Sequence, residues 1–180
     1  MQAKLSLKYV LILIAAILLS CFFHEFAHWA TGELLGNKMT MSMNTVSTVA
    51  EEYNEAWHRE WVTLAGPVFT IIQAIVFYML LKRSRNLNLY PFVFFPFVYR
   101  LFAGVANSFS PNDEGRLGLF LDIGLYTLSA VVTGFLLYLV IRSSKAMKIG
   151  FKFNLVSFLI STVMITIVVF ADQYFKIRIF

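Results

Sequence analysis

The sequence predicts an all-α polytopic membrane protein with about five transmembrane helices. Three observations carry this. The 180 residues are 59% hydrophobic and only 14% charged, against about 45–50% apolar and about 25% charged in soluble domains. The mean hydropathy is +0.72. Five stretches are long enough to cross a hydrocarbon core, which takes roughly 20 apolar residues as a helix. Together they exclude a soluble globular domain, a disordered chain and a nucleic-acid binder with a basic surface. The single cysteine, Cys21, excludes a disulfide framework and a four-cysteine metal site.

The spans are expected at about 7–35, 57–81, 89–109, 117–141 and 153–175, in one domain covering 1–180. Continuous apolar runs, rather than alternating ten-residue strands, disfavour an outer-membrane barrel. The third span is rich in Phe and interrupted by Pro91 and Pro96. Connections are short, except for 36–56. There, Met39–Val46 contains strand formers and no Pro or Gly, so it has two readings. One is an interfacial loop. The other is a short membrane-associated β segment, an edge strand able to pair with an extended peptide. Glu51, Glu52 and Glu55 follow, before Trp57 and Trp61, residues suited to a membrane interface.

Lys4 and Lys8 ahead of an apolar run ending Leu18-Leu19-Ser20-Cys21 resemble a signal peptide, even a lipoprotein one, but the run continues through Phe22 and Phe23, so a retained span is expected. No stretch reads as a regulatory or soluble appendage, and the expectation is a minimal membrane core. Basic residues near span ends set orientation. Lys4, Lys8, Lys82, Arg83, Arg85, Arg142, Lys145, Lys148 and Lys152 fall on one side, and Lys38, Arg59, Arg116, Lys176 and Arg178 on the other. This predicts a cytoplasmic N-terminus in a plasma or inner membrane, and it accounts for most of the net charge of +5.

Within span one lies His24-Glu25-Phe26-Ala27-His28, an HExxH pattern. Helical residues advance about 100° each, so positions four apart share a face. His24 and His28 can therefore offer two imidazoles to one zinc ion, with Glu25 beside them as a general base for a water. Ionisable groups inside a span cost roughly 2.5–3.5 kcal/mol each on insertion scales and seldom persist without a role. The bland alternative is a set of polar groups satisfying one another in a helical bundle. Cys21 and Thr31 share the histidine face; Cys21 is read as a packing residue. A catalytic zinc usually takes three protein ligands. The clustered acids on the same membrane side are Asp113 and Glu114, in Asn107-Ser108-Phe109-Ser110-Pro111-Asn112-Asp113-Glu114-Gly115-Arg116. Asp113 is the first choice and Glu114 the alternative, against the simpler reading of this stretch as a polar turn.

HExxH in an apolar helix, a strand-like segment, Ala65-Gly66-Pro67 in the next span, and an Asn…Pro…acid-Gly stretch two spans later resemble the site-2 protease family of intramembrane zinc metalloproteases. The resemblance covers about residues 20–120. It implies zinc on His24, His28 and Asp113, Glu25 activating water, and Asn107, or alternatively Asn112, holding the substrate carbonyl. Two departures stand out. Thr70 occupies a position where the family usually has Asn, and Asn107 lies closer to Asp113 than the family's spacing. The family generally places its site toward the cytoplasm, whereas the basic-residue count places this one on the opposite side.

Two more intramembrane charges, Arg100 and Asp122, are read as a buried pair joining spans three and four, with Asp122 as a sharper alternative for the third ligand. His58, beside Trp57, is read as interfacial. The expected activity is cleavage of a transmembrane or membrane-tethered protein substrate by zinc-activated water. The competing classes are a membrane zinc transporter or sensor using the same His/acid site, and a non-catalytic scaffold.

Overall fold

The computed structural model describes residues 5–175 and 178–180; Lys4 and Lys176 of the charge tally lie outside the described residues. The elements are α1 (Leu7–Leu34), β1 (Met39–Met41), β2 (Val46–Thr48), α2 (Ala56–Ser84), α3 (Pro91–Ala106, led in by a 3-10 turn, Leu87–Leu89), α4 (Asp113–Phe120), α5 (Thr127–Met147) and α6 (Phe151–Phe175). Five helices are long and apolar enough to cross a membrane: α1, α2, α3 with its lead-in turn, α5 and α6. Their outer faces carry large apolar side chains such as Leu18, Phe23, Ile72, Val76, Val131, Leu159 and Ile167, all exposed. An apolar exterior is stable only against lipid, so the chain is a multi-pass membrane protein.

Helix α3 is the hub. Its Val93, Phe94, Phe95 and Val98 are buried among Tyr9, Leu13 and Ile17 of α1, Ala74 and Leu81 of α2, Leu136 and Val140 of α5, and Phe153 of α6. Apolar burial contributes little between helices in lipid, so polar contacts matter more. The Tyr90 hydroxyl donates to Asn154 Oδ1 at 2.8 Å, and the Tyr9 and Ser157 hydroxyls pair at 3.0 Å. Pro91 starts α3, where a missing N–H costs nothing.

The expected fourth span is divided. The Asn112 side chain caps α4, accepting the Gly115 N–H at 3.2 Å. That helix stops after two turns, because Asp122 (φ 55) and Gly124 (φ 91) reverse the chain before α5 begins at Thr127. Gly118 lies where a Cβ would run into the Gly124 carbonyl, so the reversal depends on its missing side chain. Residues 113–120 are thereby free to bring acids to the site instead of crossing the membrane.

The Met39–Val46 segment forms a hairpin, with β1 and β2 antiparallel and Thr40 opposite Ser47. Its turn is tied to α6: Ser42 Oγ and the Met43 N–H donate to the Asp172 carboxylate at 2.8 and 3.1 Å. The outer edge of β1 is occupied by the chain itself. The Met41 N–H donates to the Phe180 carbonyl (3.1 Å) and the Ile179 N–H to the Met41 carbonyl (2.7 Å), while the Phe180 ring stacks on Trp29 at 4.6 Å.

Candidate metal centre

Two adjacent helices fix the histidines. His28 Nδ1–H donates to the Val62 carbonyl of α2 at 2.5 Å. His24 Nδ1 lies 3.0 Å from Thr70 Oγ1, whose hydroxyl donates to the Gly66 carbonyl at 3.0 Å. That hydroxyl proton is committed, so Thr70 accepts and His24 Nδ1 carries the ring proton. Both rings are therefore held as the tautomer whose Nε2 presents a lone pair. A polar partner on the far ring nitrogen is a recurrent feature of metal-binding histidines. Gly66 permits the approach of α2, since a Cβ there would overlap both rings.

The two Nε2 atoms face each other at 3.2 Å, and Asp113 Oδ2 lies 3.2 Å from His24 Nε2 and 3.4 Å from His28 Nε2. Two ring nitrogens and a carboxylate oxygen thus converge on one point, a donor set that a bound metal cation would satisfy. Tetrahedral ligation with bonds of about 2.0–2.1 Å needs donor separations of roughly 3.3–3.4 Å, which the three distances match. His24, His28 and Asp113 can hold a metal ion, and they are the one such cluster among the described residues.

Glu25 is buried at 6% exposure, and its carboxylate has no hydrogen-bond partner among the described residues. It lines a cavity of about 430 Å³ together with His24, His28, Asp113, the hairpin residues Asn44–Val46, and Ile165 and Val169 of α6. An unengaged carboxylate beside the donor cluster, in a space large enough for water and a peptide segment, is free to take a proton.

Compared with family models, curated proteins and solved structures, this chain matches none.

Several expectations need correction. Glu114 is not a ligand: its carboxylate receives Arg100 Nη1 at 3.1 and 3.2 Å, and both residues are 2% exposed. Arg100 therefore pairs with Glu114 and not with Asp122, which sits exposed in the left-handed turn after α4 and is removed as both partner and ligand. The reason is the break at 121–126, which turns Asp122 away from α3. Arg100 also borders the cluster, with Nη2 3.4 Å from His24 Nε2 and Nη1 3.5 Å from Asp113 Oδ2.

Asn107 is buried but does not line the cavity. Its amide donates to Ser129 Oγ at 3.0 Å and its oxygen accepts the Asn112 N–H at 2.8 Å. A Cβ at Gly115 would strike that same oxygen. Asn112 does line the cavity, although its side chain is engaged in capping α4 and in donating to the Ala103 carbonyl. Both asparagines set the start of α4 and hence the position of Asp113. His58, in the first turn of α2, is buried: its Nδ1 accepts Asn37 Nδ2–H at 3.1 Å, tying α2 to the loop after α1. Cys21 packs in the apolar core.

Thr70 and the Val62 carbonyl escaped sequence reasoning as partners of the histidines. Thr70 stood out in the sequence only as a departure from a family pattern, and a backbone acceptor leaves no trace in a sequence.

Proposed function

We propose that this protein is a zinc-dependent intramembrane endopeptidase of the site-2 protease type. The observation carrying the proposal is the convergence of His24 Nε2, His28 Nε2 and Asp113 Oδ2 within 3.2–3.4 Å of one another, with Glu25 on the same cavity. Two imidazoles and one carboxylate are a donor set suited to catalytic zinc, which keeps one position open. Bound there, zinc would supply Lewis acidity toward water and a peptide carbonyl. Glu25 takes the proton from the attacking water as the C–O bond forms, and returns it to the amide nitrogen as the C–N bond breaks. Arg100 sits at the cavity wall, its charge balanced by Glu114, and holds the acid-bearing turn against α3.

The substrate class follows from the medium. A membrane-embedded helix satisfies its backbone internally and must unwind before cleavage. The β1 edge is taken by Ile179 and Phe180, whereas β2 has no second strand partner among the described residues and its Val46 borders the cavity. An unwound segment is accordingly assigned to the β2 edge. We assign the protein to the plasma or inner membrane with a cytoplasmic N-terminus; the excess of Lys and Arg at the end of the bundle away from Asp113 supports that orientation. Transport of the ion is the weaker reading, because a transport route needs successive sites and one cluster is present among the described residues.

The test is cleavage of a single-span reporter substrate by purified protein in nanodiscs, with metal analysis in parallel. About one zinc per chain, activity lost on chelation and restored by zinc, and an inactive Glu25→Gln variant that keeps its metal are expected. Full cleavage by that variant would rule out the mechanism.

A further inference from the structure

The opposite end of the bundle carries a second polar cavity that the proposed catalysis does not use. Between the C-terminal ends of α2 and α5, a space of about 180 Å³ is lined by Tyr78, Lys82, Arg85, Arg142 and Ser143, with Leu81 and Ala146. Three cations share this small space. Arg85 Nη1 donates to the Ala146 carbonyl at 2.7 Å; the three have no carboxylate partner among the described residues, and the segments 82–90 and 142–152 contain no Asp or Glu. Ser143 is 1% exposed, and its hydroxyl is buried without a hydrogen-bond partner among the described residues. Several other helical hydroxyls of this chain, such as those of Ser157, Ser161 and Thr162, donate to the carbonyl four residues back. Ser143 does not.

A buried donor left unmatched is costly and calls for a partner. Mutually repelling cations with no acid nearby call for an anion. Both lie where the last turns of two membrane-spanning helices meet the headgroup layer, on the side with excess Lys and Arg, and basic pockets between helices at that level suit phosphate-bearing headgroups. We propose that this cavity binds the phosphate of an anionic membrane phospholipid, with Lys82, Arg85 and Arg142 contacting the oxygens and the Ser143 hydroxyl donating to one of them. The acyl chains would lie along the exposed apolar faces of α2 and α5, where Met79, Leu80 and Tyr138 face outward.

The full chain, purified in detergent and stripped of lipid, is titrated with phosphatidylglycerol, with phosphatidylcholine, or with inorganic phosphate alone, and the bound mass is read by native mass spectrometry. Retention of one phosphatidylglycerol in strong preference to phosphatidylcholine is expected. Each cation is worth about fivefold near the surface, so the Lys82→Gln/Arg142→Gln double variant should weaken retention about 25-fold. Arg142→Lys should keep most of it, and Ser143→Ala should weaken it severalfold. Thermal unfolding of each variant, followed by tryptophan fluorescence, confirms that the fold is intact. Equal retention of the two lipids, or no effect of the double variant, would overturn the proposal. So would inorganic phosphate binding to the lipid-free protein as tightly as the lipid, which would assign the cavity to a soluble anion.

Discussion

Arg100 and Glu114 face each other across α3 and α4, with the guanidinium 3.1 and 3.2 Å from the two carboxylate oxygens. This pair decides which of two adjacent acids reaches the histidines. On a helix, neighbouring side chains diverge by about 100°, so holding Glu114 against Arg100 turns Asp113 toward His24 and His28.

The two acids should therefore fail in different ways. Glu114→Gln removes the closer of the two carboxylates beside the buried Arg100 and leaves Asp113, 3.5 Å from Nη1, so a loss on the order of 3 kcal/mol should appear as a drop in thermal stability. Asp113→Asn should leave stability less affected while removing the metal from the purified protein. Equal metal loss with equal stability in both variants would show that the division of roles is wrong.

Gly66 sits where a Cβ would enter the space of the His24 and His28 rings. Gly66→Ala should force α2 away from α1 or displace the imidazoles. The measurement is metal stoichiometry together with stability. Loss of metal is expected along with a lowered unfolding temperature, because both the site and the α1–α2 contact depend on that approach.

Thr70 keeps the proton on His24 Nδ1. Thr70→Val, similar in shape but unable to accept, should weaken metal affinity by about 10–100-fold, the usual effect of losing such a supporting contact. Thr70→Ser should restore it. Competition with a graded series of chelators reads the affinity directly, and a Val variant with unchanged affinity would remove Thr70 from the account.

Glu25 should act on chemistry alone. Its carboxylate supports no contact that the fold needs, so Glu25→Gln should leave stability and metal content near those of the parent. Reporter cleavage should fall by about 10²–10⁴-fold, the usual contribution of a positioned proton acceptor.

What was legible in the sequence was local. Apolar run length set five spans because a bilayer has one thickness, and the four-residue spacing of His24 and His28 placed both rings on one helical face because a helix has one pitch. The strand-forming character of Met39–Val46 offered an extended segment as one of two readings, and gave no sign that Ile179 and Phe180 would cover one of its edges. The tertiary structure decided everything that depends on partners distant in sequence. It divided the expected fourth span at Asp122 and Gly124, paired Arg100 with Glu114 and not Asp122, turned Asn107 into a brace for the turn that carries Asp113, and brought Val62 and Thr70 behind the two histidines. Each of these is a choice among several chemically equivalent partners. Hydropathy and spacing rank such partners equally, and only the packed directions of α2, α3 and α4 around α1 distinguish them.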